Sequence, residues 1–311
     1  MIGYSMMISP VRTAYRFIKS RFTKTRLDVL CFLARRRRKK MDHVAYVGIT
    51  GSAGKTLTKE LTASILAQFG PCRKTTGSYN KTWAAAYVVW HTKKTHRYCV
   101  AEVAAHGPGT IEASVDILQP AIAVLTVIGR DHYSAYKNVD RIADEKEKLI
   151  AALPPDGVAV LNRDDPKVRM IGERCNRRVI WIGKGESAEL HLKEASSLWP
   201  EPLVLSFEYQ GRFYKVRTQL HGAYQALSVM ASLGVALALA LPLEKAIDAI
   251  SRVAPLNGRM QPVSDNQGVV FIRDDYKSPH WSFGAPIEFL KDARASRKIV
   301  IIGTISDASQ K

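Results

Sequence analysis

The sequence lacks the cysteine spacing of a disulfide scaffold or of a thiolate metal site. Its four cysteines, Cys31, Cys72, Cys99 and Cys175, lie far apart and form no Cys-x-x-Cys pair. Disulfide-rich secreted domains and zinc sites depend on closely spaced cysteines, so both classes are excluded. Four free thiols in a reducing cytoplasm are the simplest interpretation.

Long hydrophobic runs are also missing from the N-terminal region. The mostly apolar stretch 27–33 is far shorter than the roughly 20 residues that a helix needs to cross a bilayer. Its basic residues, Arg35 to Lys40, follow the apolar stretch, whereas a secretory signal carries its charges first. This region therefore predicts neither a membrane span nor a signal peptide.

Acidic residues are scarce, and their distribution is uneven. The chain of 311 residues has 46 Lys and Arg against 28 Asp and Glu, a formal charge of +18. Residues 1–40 hold twelve of the basic side chains and one acid, Asp28, which is a net +11 and leaves +7 for the rest of the chain. The sequence therefore predicts a mildly basic globular body preceded by a basic arm over residues 1–42.

The arm allows several interpretations. Val11, Tyr15, Ile18 and Phe22 recur at helical spacing between basic residues, which favours an amphipathic helix. Such a helix can lie on an anionic membrane surface, which predicts a cytoplasmic protein at the inner face of the membrane. A solvated tail, or a true start at Met41, stays an open alternative. Nucleic-acid binding is less favoured because the arm carries no known nucleic-acid-binding module.

From residue 43 onward, short apolar strands alternate with amphipathic helices. This order predicts an α/β fold with a mostly parallel sheet. Residues 186–220 alternate in a way that indicates antiparallel strands at a sheet edge, and helices are expected at 222–240 and 243–252. The buried strands are expected at 44–49, 98–101, 121–125, 158–161 and 178–182, and two earlier helices at 55–69 and 139–153.

A boundary is predicted at Asn257-Gly258-Arg259, which divides a central unit (43–258) from a C-terminal unit (259–311). Strands at 269–272 and 298–302, with a helix near 282–292 between them, are expected to open a Rossmann-like domain. One helix cannot cover both faces of such a parallel sheet, so this domain is expected to be incomplete.

The strongest motif is a phosphate loop between the first strand and the first helix of the body, Gly51-Ser52-Ala53-Gly54-Lys55-Thr56. Glycines in this position let backbone N–H groups approach phosphate oxygens, and the helix N-terminus adds positive potential. Lys55 is expected to contact the β- and γ-phosphates, and the Thr56 hydroxyl is expected to ligate Mg²⁺. The loop alone predicts binding of ATP or GTP.

Several segments together resemble the Mur ligase family, most closely its MurF branch. The resemblance covers about residues 43–303, and its motifs occur in the family's order. They are the loop that begins at Thr50, Thr76-Gly77-Ser78-Tyr79-Asn80, Glu102 at a strand end, Thr126 to His132, Ala143-Asp144-Glu145-Lys146, Leu161 to Pro166, Gly258-Arg259 and Asp274-Asp275-Tyr276.

The resemblance implies roles for matched residues. Glu102 and His132 are expected to ligate a second Mg²⁺, and Lys146 matches a lysine that is carbamylated in this family and then helps to hold the metals. His132, Lys146 and Lys55 are the expected catalytic residues. Around them, the resemblance implies ATP contacts by Arg259 and Asp275 and an acceptor-side role for Asn80.

The implied activity is ATP-dependent amide-bond formation through an acyl phosphate, in peptidoglycan or related peptide synthesis. The implied partners are an anionic carboxylate substrate and an amine such as an amino acid or dipeptide. The family's N-terminal UDP-sugar domain has no counterpart here, so the chain is expected either to use another substrate or to be a piece of a longer protein. Two rival functions are a non-catalytic ATP-binding module at a membrane surface and a P-loop kinase or NTPase. The second rival is disfavoured because it leaves Glu102, His132 and Lys146 unexplained.

Overall fold

A computed structural model describes residues 25–131, 133–277, 280–303 and 305. Most of the basic arm, including the helical pattern from Val11 to Phe22, lies outside these residues, and so does His132. Within the described residues, no helix is both long enough and apolar enough to span a membrane. The four cysteines are free thiols, as the sequence predicted.

Nine strands of the described chain form one sheet in the order β2-β3-β1-β4-β5-β6-β7-β8-β9. Pairing is parallel from β2 through β7 and antiparallel for β7–β8 and β8–β9, which confirms the predicted α/β class and the antiparallel edge. The strands are β1 (Ala45–Thr50), β2 (Cys72–Lys74), β3 (Tyr98–Glu102), β4 (Ile122–Leu125), β5 (Val158–Asn162), β6 (Arg178–Gly183), β7 (Leu190–Ser196), β8 (Val204–Tyr209) and β9 (Arg212–Arg217).

Helices cover both faces of this sheet. The described helices are α1 (25–38), α2 (Lys55–Ala67), α3 (Thr82–Trp90), α4 (Thr110–Leu118), α5 (Tyr133–Tyr136), α6 (Val139–Ala151), α7 (Pro166–Glu173), α8 (Ala226–Ala238), α9 (Leu243–Ser251) and α10 (Gly284–Asp292). One core lies between the sheet and α2, α8 and α9, and a second core lies on the other face against α1, α3, α4 and α6. Coverage of both faces explains why the central strands are continuous apolar runs.

Local sequence signals explain where several helices begin. Asn138 caps α6 by accepting a hydrogen bond from the backbone N–H of Asp140. Asp165 caps α7 in the same way, and Pro166 occupies the first turn, where its missing N–H has no helical partner to lose. These two helices run from the sheet edge that carries the phosphate loop, so their caps also position the residues of that edge.

Helix α1 is bound to the body. Cys31 and Ala34 are buried in the second core, and the Arg35 guanidinium pairs with Asp116 of α4. Arg38 donates hydrogen bonds to the carbonyl oxygens of Leu118 and Gln119. For residues 25–38, the solvated-tail alternative is therefore wrong, because the inner side of the helix is part of the folded core.

The C-terminal region differs from its prediction. The predicted strand at 269–272 corresponds to β11 (Val270–Arg273), but it pairs antiparallel with β10 (Gln261–Ser264) in a separate two-stranded sheet. The expected strand at 298–302 is wrong: these residues form no strand, and Ile299 to Ile302 are exposed. A strand needs a neighbouring strand for its backbone hydrogen bonds, and residues 298–302 pair with no described strand.

Candidate functional site

The phosphate loop connects the carboxyl end of β1 to the N-terminus of α2, as predicted. Gly51 has φ 144°, and Gly54, which precedes the first residue of α2, has φ 79°. Residues other than glycine rarely adopt these backbone angles, and a Cβ on Gly51 would overlap the Thr126 hydroxyl. Glycine is therefore required at Gly51 both by its backbone conformation and by close packing.

Hydrogen bonds hold the loop against the segment that follows β4. The Ser52 backbone N–H donates to the Val127 carbonyl oxygen at 2.7 Å, and the Gly129 N–H donates to the Ser52 Oγ at 2.8 Å. The Thr126 hydroxyl donates to the Ala53 carbonyl oxygen at 2.6 Å. The loop is thus fixed in shape by contacts with a neighbouring parallel strand end.

Lys55 is the first residue of α2, and its ammonium group turns back over the loop. Its Nζ donates to the Gly51 carbonyl oxygen at 2.7 Å and lies 3.1 Å from the Asp131 carboxylate. Asp131 is buried, and its second oxygen pairs with the Lys277 Nζ at 2.6 Å. One buried carboxylate therefore places two cations beside the phosphate loop.

Lys146 approaches the same loop from α6. Its side chain is fully buried, and its Nζ donates to the Gly51 carbonyl oxygen at 3.1 Å. Burial, and after it the nearby Lys55 charge, lower the pKa of Lys146 to about 7, although Asp131 partly opposes both. A large fraction of this amine is therefore neutral and nucleophilic at neutral pH.

Side-chain oxygens that could ligate a metal ion lie around Thr56, one residue after Lys55. The Thr56 hydroxyl donates to the Glu102 Oε2 at 2.8 Å and lies 3.2 Å from the Ser78 Oγ. Glu102 is buried at the end of β3, and the Asn80 amide donates to its Oε1 at 2.7 Å. Carboxylate, hydroxyl and amide oxygens are the ligands that Mg²⁺ prefers, so the predicted metal residues Thr56 and Glu102 fit that ion.

Asn80 is itself oriented from its other side. Its Oδ1 lies 2.8 Å from the Nε2 of His106, a residue of the segment after β3. Because the Asn80 Nδ2 faces Glu102, its Oδ1 must accept, and His106 must donate from Nε2. The chain from His106 through Asn80 to Glu102 holds the carboxylate in one orientation.

Arg259 reaches this group from the segment before β10. Its guanidinium donates to the Thr56 hydroxyl at 3.1 Å and to the Ser78 hydroxyl at 3.2 Å, and it stacks on the Tyr276 ring at 4.6 Å. Asp275 lies nearby in sequence, but its described hydrogen bonds are with Arg273. The structure thus brings Arg259, but not Asp275, into contact with the residues around the phosphate loop.

The predicted site residues are therefore mostly close together. Lys55, Thr56, Glu102, Lys146 and Arg259 surround the phosphate loop, and Asn80 contacts Glu102. Their assigned roles stay predictions, and His132 lies outside the described residues. Within the described part of the chain, no three His, Cys, Asp or Glu side chains cluster as a metal site by themselves.

Four contributing residues were missed by the sequence reasoning: Asp131, Ser78, His106 and Lys277. Asp131 and Ser78 stand inside the quoted motifs, and their polar character in the segments after β4 and β2 was the available signal. Lys277 carried no such signal, because 146 positions separate it from Asp131 in the sequence.

Comparison with known proteins gives a consistent result. The sequence matches the family model described as Mur ligase middle domain over residues 49–236, which is more than half of the chain. Two relatives are named UDP-N-acetylmuramoyl-tripeptide–D-alanyl-D-alanine ligase. The Synechocystis protein is 27% identical, with 85% of this chain and 56% of the relative covered. The Mycobacterium bovis protein is 29% identical, with 78% and 48% covered.

Solved structures show the same likeness. MurF from Acinetobacter baumannii superposes with a TM-score of 0.80 at 26% identity, covering 86% of this chain and 58% of that one. MurF ligase from Thermotoga maritima, solved in complex with ADP, superposes with a TM-score of 0.77 at 28% identity, covering 86% and 61%. The chain thus spans about half the length of the curated relatives that it matches.

Proposed function

We propose a function for this chain, which belongs to the Mur ligase family. The proposed function is that of an ATP-dependent ligase that joins a substrate carboxylate to an amine. The observation that carries the proposal is the convergence of Lys55 and the buried, low-pKa Lys146 on one carbonyl oxygen, that of Gly51. A kinase or a simple NTPase has no evident use for this second lysine. The central ATP-binding unit is proposed to span 43–258, and a C-terminal unit to begin at 259.

The nucleotide phosphates are proposed to lie in the loop 51–54, against backbone N–H groups and the N-terminus of α2. Lys55 and Arg259 flank this position and carry positive charge that can neutralise the γ-phosphate as it is transferred. Asp275 is proposed as an outer contact to the ribose or phosphates on the strength of the family resemblance.

The reaction is proposed to have two steps. An oxygen of the substrate carboxylate attacks the γ-phosphorus, and the bond to the β–γ bridging oxygen breaks, which leaves an acyl phosphate and ADP. The amine then attacks the acyl carbon, loses a proton and displaces inorganic phosphate. This chemistry requires mainly alignment and charge neutralisation, which a fixed loop and several oriented cations can provide.

Thr56 and Glu102 are the residues of this chain proposed to hold Mg²⁺, with His132 added by the resemblance. The ion would supply charge neutralisation at the phosphate oxygens. Asn80 is proposed to act on the acceptor side while it keeps Glu102 oriented. The oxygen set around Thr56 supports this assignment because it matches the ligand preference of Mg²⁺.

Lys146 is proposed to carry a carbamate. The neutral amine adds to carbon dioxide, a C–N bond forms and one proton leaves, so an uncharged group becomes an anion. A pKa of about 7 supports this step, because only the unprotonated amine can react. The resulting carboxylate would supply oxygen donors that the ammonium group lacks.

Substrates are proposed from the names of the relatives. The matched proteins are named for UDP-N-acetylmuramoyl-tripeptide and D-alanyl-D-alanine. We propose an anionic carboxylate acceptor of that kind and an amino acid or dipeptide amine, used in peptidoglycan or a related peptide. The proposed location is the cytoplasm, with residues 1–40 holding the protein at the inner face of the membrane.

The test is ADP release on mixing the protein with ATP, UDP-N-acetylmuramoyl-tripeptide and D-alanyl-D-alanine. Wild type is expected to sustain ADP release over many turnovers only with both substrates, whereas Lys55→Ala and Lys146→Ala are expected to lose roughly 10²-fold or more of the rate. Lys215→Ala, an exposed lysine on β9, is the matched control and should match wild type. Nucleotide binding without acceptor-dependent ADP release, across a panel of carboxylate acceptors, would overturn the ligase proposal.

A second measurement isolates the carbamate. With ¹³C-labelled bicarbonate, the wild-type protein is expected to show one protein-bound carbamate resonance that Lys146→Ala lacks and Lys55→Ala keeps. A resonance that survives in Lys146→Ala would assign the carbamate to another amine and remove this part of the proposal.

A further inference from the structure

The outward side of helix α3 consists of aromatic residues. Trp83, Tyr87 and Trp90 are the exposed residues of this helix, with relative exposures of 37%, 42% and 37%. Their spacing of four and three residues places them on one side of the helix. The intervening residues are small or β-branched and buried: Ala84, Ala85, Ala86, Val88 and Val89.

A surface helix usually presents polar and charged residues to water, and a helix that is apolar all round is normally covered on every side. The three aromatic side chains of α3 therefore form a face that water solvates poorly. Trp and Tyr combine a large apolar ring with one polar atom, which suits a boundary between water and a less polar phase.

Positive charge lies directly beside this row. The Arg37 guanidinium of α1 lies 5.8 Å from the centre of the Trp90 ring and donates to the Thr92 carbonyl oxygen at 2.7 Å. On the outer side of α1, Phe32 is 53% exposed, and the Arg36 guanidinium lies 5.1 Å from its ring centre. Lys39 and Lys40 follow at the end of this helix and are exposed.

We propose that these residues form a lipid-facing surface that seats the protein on an anionic bilayer. The lipid-facing surface consists of Trp83, Tyr87 and Trp90 of α3 and of Phe32, Arg36 and Lys39 from α1 and its C-terminal end. It refines the peripheral location proposed above by adding a folded surface to the arm, and the ligase proposal does not depend on it.

Composition and charge favour a bilayer over a second protein copy. Trp and Tyr beside Arg and Lys are the residues found at membrane–water interfaces, and each basic residue gains energy near anionic lipid. A second copy seated on this surface would bring another segment of net +11 against the first, and like charges repel. An anionic lipid surface complements both properties of the patch.

Vesicle co-sedimentation with the full chain tests the proposal, with vesicles of phosphatidylcholine alone or mixed with phosphatidylglycerol. Wild type is expected to bind the anionic vesicles. The triple variant Trp83→Ser, Tyr87→Ser, Trp90→Ser is expected to bind roughly 10-fold more weakly, because it lacks the three aromatic rings that move from water into the bilayer interface on binding. Phe213→Ser, which removes a 72% exposed ring from β9 at the far edge of the sheet, is the matched control and should bind as wild type does. Equal binding of the triple variant and wild type would overturn the proposal and assign all affinity to the arm.

Tryptophan fluorescence gives an independent readout. Trp83 and Trp90 are two of five tryptophans, so anionic vesicles are expected to shift the emission to the blue in wild type. The double variant Trp83→Phe, Trp90→Phe should keep its binding and lose most of that shift. Should the triple variant melt below the assay temperature, Arg36→Glu with Lys39→Glu replaces it, with an expected loss of roughly 10-fold on anionic vesicles.

Two further outcomes separate this proposal from its rivals. Self-association without lipid, lost in the triple variant, would assign the surface to a second copy and overturn the lipid proposal. ADP release from soluble substrates is expected to be unchanged in the triple variant, so a failed vesicle assay and a failed ligase assay can be told apart.

Discussion

Among the residues that the structure describes, two lysine side chains are fully buried, and their surroundings differ. Lys59 on α2 donates to the carbonyl oxygens of Thr75 and Gly77 and pairs with Glu60 at 2.9 Å. Lys146 on α6 donates to the Gly51 carbonyl oxygen at 3.1 Å, and the charges of Lys55 and Lys277 act against its protonation. Burial is the same, but only Lys59 has an adjacent carboxylate in an ion pair.

The difference shows how burial produces either stability or reactivity. A buried cation that is paired and hydrogen-bonded can be retained as a structural group. The Lys59 contacts connect α2 to the segment that leads from β2 to Ser78 and Asn80. Lys59 therefore helps to position these two site residues. A buried amine among other cations instead loses its proton near neutral pH, which prepares Lys146 for chemistry.

The largest loss of stability is expected when Lys59, the structural member of the pair, is replaced. Lys59→Met should lower the free energy of unfolding by about 2–4 kcal/mol, because two carbonyl oxygens and Glu60 lose their donor. Lys74→Met is the matched control: Lys74 pairs with the other Glu60 oxygen but is 45% exposed, so less than about 1 kcal/mol should be lost. Chemical denaturation measures both variants, and equal losses would remove the distinction between the two neighbourhoods.

The next prediction concerns Lys146. Its folded-state pKa of about 7 lies below the ordinary value of 10.5, so between these pH values the unfolded chain binds more protons. Stability must therefore rise with pH in that window, by up to about 1.4 kcal/mol per pH unit. Below pH 7 the amine is protonated in both the folded and the unfolded state, so the full free-energy cost of burying its charge applies. In buffer free of carbon dioxide, Lys146→Met should lack this rise. Parallel pH curves for the variant and wild type, measured by denaturation from pH 7 to 10, would contradict the assignment.

The smallest expected effect sharpens the electrostatic part of the comparison. Lys277→Met removes a cation near Lys146 and one ion pair of Asp131, and both changes favour the protonated amine. The pKa of Lys146 should rise by less than about one unit, so the rise of stability with pH should begin at a higher pH. The same denaturation series detects this displacement. A displacement to lower pH would contradict the prediction that the Lys277 charge lowers the pKa of Lys146. Arg273→Met, which removes an exposed cation paired with Asp275, is the control and should leave the onset unchanged.

Much of the central fold follows from local sequence. The five predicted apolar strands were found to within a few residues, because parallel strands covered on both faces must be continuously apolar. Four helices were predicted with similar bounds, whereas β2, α3, α4, α5 and α7 were not predicted. The phosphate loop was equally clear, since Gly51 and Gly54 occupy conformations that other residues rarely adopt. Residues 298–302 show where the same reasoning fails: an apolar run supplies a strand's side chains but not its hydrogen-bonding neighbour.

The sequence by itself determined the order of strands and helices, the glycine loop and the lysine that follows it, because each depends on neighbours along the chain. Only the tertiary structure decided that Lys146, 95 positions from Gly51, meets the same carbonyl oxygen as Lys55. It also decided that α1 packs beside α3 and that Asp131 joins Lys55 to Lys277. These contacts arise because parallel strands bring their carboxyl ends to one edge of the sheet, and that proximity depends on strand order rather than on distance in sequence.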